Sequence, residues 1–180
     1  MKILYTCLLL SSLLLTSCFE YEEELSLVQY GSRDYALSGV LQEDWGAHSG
    51  DHYNMDFTII GETSVFEENQ NALGETYFTL SEDFDCYLFT EFFSPGKEGF
   101  QEGTFTALGN RKLSEAEGEF VYRRVQFGRS LEEAIFGENG TITIVITSKG
   151  VYRMKYDILM ENGRKLEGTF IGTPQYLDRK

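Results

Sequence analysis

Along most of the chain, apolar and polar positions alternate with a period of two. In one stretch Tyr53, Met55, Phe57 and Ile59 fall on one side, and Asn54, Asp56 and Thr58 on the other, as in a strand with one buried face. The same pattern, carried by aromatic and β-branched residues, predicts strands at Tyr35–Leu41, Tyr53–Ile60, Glu75–Leu80, Cys86–Phe93, Thr104–Leu108, Glu119–Phe127, Thr141–Thr147, Val151–Met160 and Lys165–Ile171. Long stretches with helical period are absent. Ser130 and Glu133 have capping-box spacing, but Gly137 would end the turn they open, so the segment reads as a connector.

Glycines fix the register of the C-terminal third. A two-residue turn at Asn162-Gly163 would put Leu166 and Phe170 on the charged face with Lys155 and Asp157. A three-residue loop Glu161-Asn162-Gly163, with Gly163 left-handed, instead pairs Ile158 with Leu166, Met154 with Phe170 and Tyr156 with Gly168. By the same logic a loop Ser148-Lys149-Gly150 pairs Ile146 with Tyr152, Ile144 with Met154 and Ile142 with Tyr156, since a slip of one residue would expose the whole set. The opposite face then carries Asp157 facing Glu167, an unfavourable pair unless Lys155 and Lys165 sit between them. This apolar meander needs a second layer. The expectation is an all-β domain, a two-sheet antiparallel sandwich of jelly-roll type, with a closed lipocalin-like barrel as the alternative.

The first residues obey different rules. One cation, Lys2, precedes a mostly apolar run from Ile3 to Leu15, interrupted by Tyr5, Thr6, Cys7, Ser11 and Ser12. A membrane span needs roughly 20 apolar residues, so the segment reads as a secretory signal. Its end, Leu15-Thr16-Ser17-Cys18, resembles the lipobox of bacterial lipoproteins at each position. That resemblance implies a signal peptide over 1–17, a lipid on Cys18 as the mature N-terminus, an acidic tether over 18–29 and one domain over 30–180. It also implies the outer membrane, because Phe19 and not aspartate follows the cysteine. Glu20, Glu22, Glu23 and Glu24 are similar to the acidic clusters of surface-exported lipoproteins in gut-type Gram-negative anaerobes, although a run of like charge also serves as a plain tether. Segments Gly50–Phe57, Glu102–Thr106, Asn139–Ile142 and Tyr152–Gly172 resemble those of small β-sandwich lipoproteins of the outer membrane, a likeness that carries no catalytic residues.

Charge narrows the partners. The chain has 15 Lys and Arg against 29 Asp and Glu, and loss of residues 1–17 removes one cation and no acid, moving the net charge from −14 to −15. Such a field repels nucleic acid and anionic headgroups, which leaves the membrane reached through the lipid and a glycan or surface-protein partner. With Cys7 in the signal and Cys18 lipidated, Cys86 stands alone in the domain, without an internal disulfide; its strand-like setting suggests a small buried hydrophobe.

Candidate chemistry gathers in Trp45-Gly46-Ala47-His48-Ser49-Gly50-Asp51-His52-Tyr53, which holds both histidines and the single tryptophan. His48, Asp51 and His52 are plausible metal-ligand types, but glycines leave their geometry open; neither a metal nor another cofactor is expected. Trp45 and Tyr53 could instead offer rings to a sugar, with His48, Asp51 and His52 orienting hydroxyls. Alternatively Trp45 plugs one end of the core. No nucleophile elbow or similar catalytic signature occurs, and a carboxylate pair for glycoside hydrolysis cannot be recognised by spacing alone. The expected function is a non-catalytic binding module at the cell surface, with glycans as the candidate ligand; a carrier with an apolar cavity is the alternative, and a glycoside-active enzyme comes third.

Overall fold

The computed structural model describes residues 25–49, 51–81, 84–130 and 132–180. The signal segment, Cys18 and the acidic run lie outside them. Among the described residues twelve strands form: β1 (Leu27–Tyr30), β2 (Arg33–His48), β3 (His52–Gly61), β4 (Phe66–Gln70), β5 (Thr76–Leu80), β6 (Tyr87–Pro95), β7 (Gly103–Ala107), β8 (Val121–Gly128), β9 (Ile135–Ile146), β10 (Tyr152–Met160), β11 (Lys165–Gly172) and β12 (Gln175–Asp178). Among the described residues the only helical element is a 3-10 turn at Leu113–Glu115, and no helix is long and apolar enough to cross a membrane.

Nine of the strands close into a barrel in the order β1-β11-β10-β9-β7-β8-β6-β3-β2, with β2 returning to β1. The expected sandwich is therefore incorrect, and the barrel alternative is the one observed. The physical reason is that inward and outward residues alternate identically in both architectures; closure depends on how far the sheet coils. Here it coils through bulges between Leu37 and Gly39, Asp44 and Gly46, Glu91 and Phe92, and Leu159 and Met160. The meander residues predicted to cover a second sheet face the barrel axis.

β1 completes the wall, pairing with β11 on one side and β2 on the other, and Val28 is fully buried. The domain thus begins ahead of residue 30, and the last residues of the expected 18–29 tether belong to the fold. Four residues following an acidic run are too few for alternation to stand out. The strands β4, β5 and β12 lie outside the barrel ring: β4 and β5 form a separate hairpin, and β12 adds in parallel to β2 at Leu41–Asp44, beyond the point where β1 ends.

The predicted C-terminal registers are all present, including Ile158 with Leu166, Tyr156 with Gly168 and Ile144 with Met154. Gly163 and Gly150 have φ of 77° and 73°, the left-handed conformation those loops require. On the outer face Lys165 Nζ lies 3.0 Å from both Asp157 and Glu167 and separates their charges. At Ser130 the hydroxyl accepts the Glu133 N–H, a connector without an α-helix.

Rings fill the barrel. Phe92 meets Phe57 at 5.8 Å and Phe105 at 4.8 Å, and Phe100 stacks on Phe105 at 5.7 Å, separations at which aromatic pairs attract beyond simple burial. Tyr122 and Tyr156 are buried among them. Cys86 is free and fully buried, and burial pushes its thiol up to about 12, so it packs as a hydrophobe.

Candidate functional site on the outer wall

The β2–β3 hairpin does not keep its candidate residues together. Its ladder pairs His48 with His52, Ala47 with Tyr53 and Gly46 with Asn54, then slips, so that Asp44 faces Met55 and Trp45 is the extra residue. Gly46, at φ 77°, permits that bulge. Without it Trp45 would oppose Met55 and enter the core. With it the indole emerges on the outer wall, 46% exposed, where Nε1 donates to Asp56 Oδ2 at 3.0 Å. Tyr53 points the other way and is buried. The two rings therefore do not form one platform.

The remaining candidates disperse. His52 is fully buried with Nε2 at 3.2 Å from the Glu119 carbonyl oxygen. His48 is exposed, packs edge-on against Phe93 and bonds Ser49. Asp51, at φ 58°, forms an exposed ion pair with Lys97. Among the described residues no group of three or more His, Cys, Asp or Glu is placed to hold a metal ion.

Inside the barrel mouth Tyr53 belongs to a different group. Its hydroxyl donates to Asp44 at 3.0 Å, the Tyr176 hydroxyl donates to the same carboxylate at 2.7 Å, and Lys180 Nζ lies 2.9 Å away. Burial opposes the Asp44 charge, but hydrogen bonds from Lys180, Tyr176 and Tyr53, with the Lys180 charge, outweigh it and hold the carboxyl below its usual range. A carboxyl depressed in the folded state contributes stability above its unfolded value near 4, and that contribution is lost as pH falls through the folded value. The cluster fastens β12 and the C-terminal residues to β2.

On the outer wall the register builds a site that residue spacing did not reveal. Glu43 on β2, Asp56 on β3, Glu91 on β6 and Arg124 on β8 stand in one cross-strand row. The two outer acids have cations: Arg179 reaches Glu43 through Nε and Nη2 at 2.9 and 2.7 Å, and Arg123 reaches Glu91 at 3.3 Å. Arg179 also lies 5.8 Å from the Trp45 ring centre and Arg123 4.7 Å from that of Phe93. Among the described residues Asp56 has only the neutral donors Trp45 and Asn54. Burial, then the charges of Glu91 and Glu43, raise its carboxyl to about 7.

This row runs along the floor of a trough. At one end the segment around the 3-10 turn folds over the wall, burying Leu108, Leu113 and Ala116 against Phe93 and Val121, with His52 beneath it. At the other the β4–β5 hairpin overhangs Thr58 and Phe89. Trp45, Asp56 and the two ion pairs lie between these covers. No family model matches the chain, and no curated protein and no solved structure matches it either.

The raised Asp56 carboxyl has a measurable consequence. A folded value above the unfolded one means that the native state binds the extra proton between about pH 4 and 7, so Asp56 costs increasing stability as pH rises through that window. Asp56→Asn is expected to be more stable than the parent by about 1–2 kcal/mol at pH 8 and nearly equal to it at pH 4. Urea unfolding at both pH values checks this, and a variant less stable at pH 8 would contradict it.

Proposed function

We propose that the protein is a lipid-anchored binding module of the outer membrane, exposed at the cell surface, which holds a neutral hydroxylated ligand such as a glycan in the trough around Trp45 and Asp56. The observation carrying this reading is a half-exposed indole whose N–H is fixed on a carboxyl near neutrality, between two acids already paired with arginines. A flat ring supplies apolar contact at little entropic cost, the Asp56 carboxyl accepts or donates hydrogen bonds to hydroxyls, and the Glu43 carboxylate accepts them. Perturbed carboxyls concentrate at functional sites because they cost stability where they stand. The barrel centre is filled by Phe57, Phe92 and Phe105, which favours the outer wall over an interior cargo.

On a glycan array Trp45→Ala is expected to weaken binding about tenfold, equivalent to roughly 1.4 kcal/mol, while leaving the melting temperature close to the parent's. Unchanged binding would remove Trp45 from the contact surface. The anchor has its own test: Cys18→Ser should leave the detergent phase on partitioning, and a variant that still fractionates with membranes would refute lipidation at Cys18. Protease shaving of intact cells tests the surface address inferred from Glu20–Glu24; a protected domain would place the protein in the periplasm.

A second reading draws on the same row, since an acid held near pH 7 beside other carboxyls is also the setting of glycosidic general acids. Release of reducing sugar by the parent and its loss in Asp56→Asn would favour catalysis over binding.

A further inference from the structure

The β4–β5 hairpin stands off the barrel over a crevice of about 210 Å³ and forms a two-stranded sheet of its own. Among the described residues no strand other than β4 lies beside β5. Asn71 donates to the Glu75 carbonyl oxygen and Ser81 to that of Val65, which sets the ladder: Tyr77 and Thr79 turn their N–H and C=O groups to β4, and Thr76, Phe78 and Leu80 turn theirs away from it. Among the described residues those outward groups meet no backbone partner. The two edges of the hairpin are not alike. β4 reads Phe66-Glu67-Glu68-Asn69-Gln70, with charges of the kind that keep an edge from pairing. β5 reads Thr76-Tyr77-Phe78-Thr79-Leu80, strand-forming residues without charge, glycine or proline.

An added strand gains affinity from main-chain hydrogen bonds and specificity from its alternate side chains. Phe78 and Leu80 line the crevice, so apolar residues suit the positions beside them. Tyr77 and Thr79 share the exposed face of the hairpin with Glu67 and Glu75, and that face calls for cations. The surroundings reinforce the choice: from Asp34 to Gly96 the chain carries thirteen Asp and Glu and neither Lys nor Arg. A second copy of the chain would set Glu67 and Glu75 against the same residues of its neighbour, which like charge opposes. We propose that β5 is the docking edge for a strand of a polypeptide partner in which apolar residues on the crevice side alternate with Lys or Arg on the outer side, independently of the ligand contact at Trp45.

The test uses the full chain in detergent and a fluorescein-labelled heptapeptide of alternating lysine and valine. Saturable binding that weakens as salt rises is expected. Methylating the backbone nitrogens of the valines alone, or of the lysines alone, keeps the charge and blocks one edge of the peptide; one of these two forms should bind at least about tenfold more weakly than the other, because only one edge faces β5. Glu67→Gln combined with Glu75→Gln should weaken the parent peptide about fivefold, and Trp45→Ala should leave it unchanged, which keeps the outcome distinct from the glycan result. In amide exchange the peptide should slow Thr76, Phe78 and Leu80, whereas Tyr77 and Thr79 are protected without it. Absence of saturable binding, or equal affinity of the two methylated peptides, would overturn the proposal. Slowing of Thr76, Phe78 and Leu80 by a rise in protein concentration alone would overturn it in favour of a second copy at this edge.

Discussion

Phe105→Ala is expected to lower the stability of the barrel by about 4 kcal/mol, the middle of the range for a buried phenylalanine. The ring is fully buried and meets Phe92, Phe100 and Phe120 at 4.8, 5.7 and 5.2 Å. Its removal leaves three rings without a shared neighbour, and stiff strands on either side limit collapse into the space. The position matters as well as the burial. Phe105 lies on β7, a five-residue strand wedged between β8 and β9, which otherwise pair only at Gln126–Phe136 and Phe127–Ile135. Phe105→Leu keeps most of the volume and should cost less than half as much. Urea unfolding checks both variants, and a loss below about 1.5 kcal/mol for Phe105→Ala would mean that the ring stack is not the mechanical centre of the wall.

The second large effect is expected at a residue with no side chain. A Cβ on Gly168 would lie 2.1 Å from the Leu27 carbonyl oxygen and 2.6 Å from Val28 Cα, at a φ of 149°. Backbone, not a flexible side chain, occupies the space, so Gly168→Ala must either distort β11 or push β1 away from it. A cost of about 3 kcal/mol or more follows from overpacking added to strain. Gly163→Ala is the control: it has positive φ but open space around it, and should cost only about 1 kcal/mol. Amide exchange should show β1 released first in Gly168→Ala. Equal destabilisation by the two substitutions would show that backbone conformation, and not the approach of β1, sets the need for glycine at 168.

What could be read from residues alone divides along a physical line. All nine predicted strands form, and the hairpins around Gly150 and Gly163 take the predicted registers, because a short turn and a buried face together leave one solution. Closure was not legible, since it rests on bulges and on β1, whose four residues carry too little alternation. The acidic row was hidden for a related reason. Asp56 and Glu91 become neighbours through a pairing of β3 with β6 that skips the whole β4–β5 hairpin, and no turn connects those strands to set their register. Trp45 depended on a single slip at Gly46, which moved it from the face of Tyr53 to that of Asp56. Alternation alone would have placed it in the core.

The seating of β1 also determines how the domain answers tension. Any pull delivered through the residues ahead of Leu25 reaches the folded body at this strand, which is laddered to β11 and to β2 along its whole length. A terminal strand at an open margin can peel away one bond at a time. One held on both flanks, with Val28 sunk in the interior and Gly168 letting its backbone lie close, must surrender two ladders before it moves. If the protein hangs from a membrane while its trough grips something in the surroundings, the link to the leash is a shear-loaded joint, and the same strand that shuts the barrel carries the load.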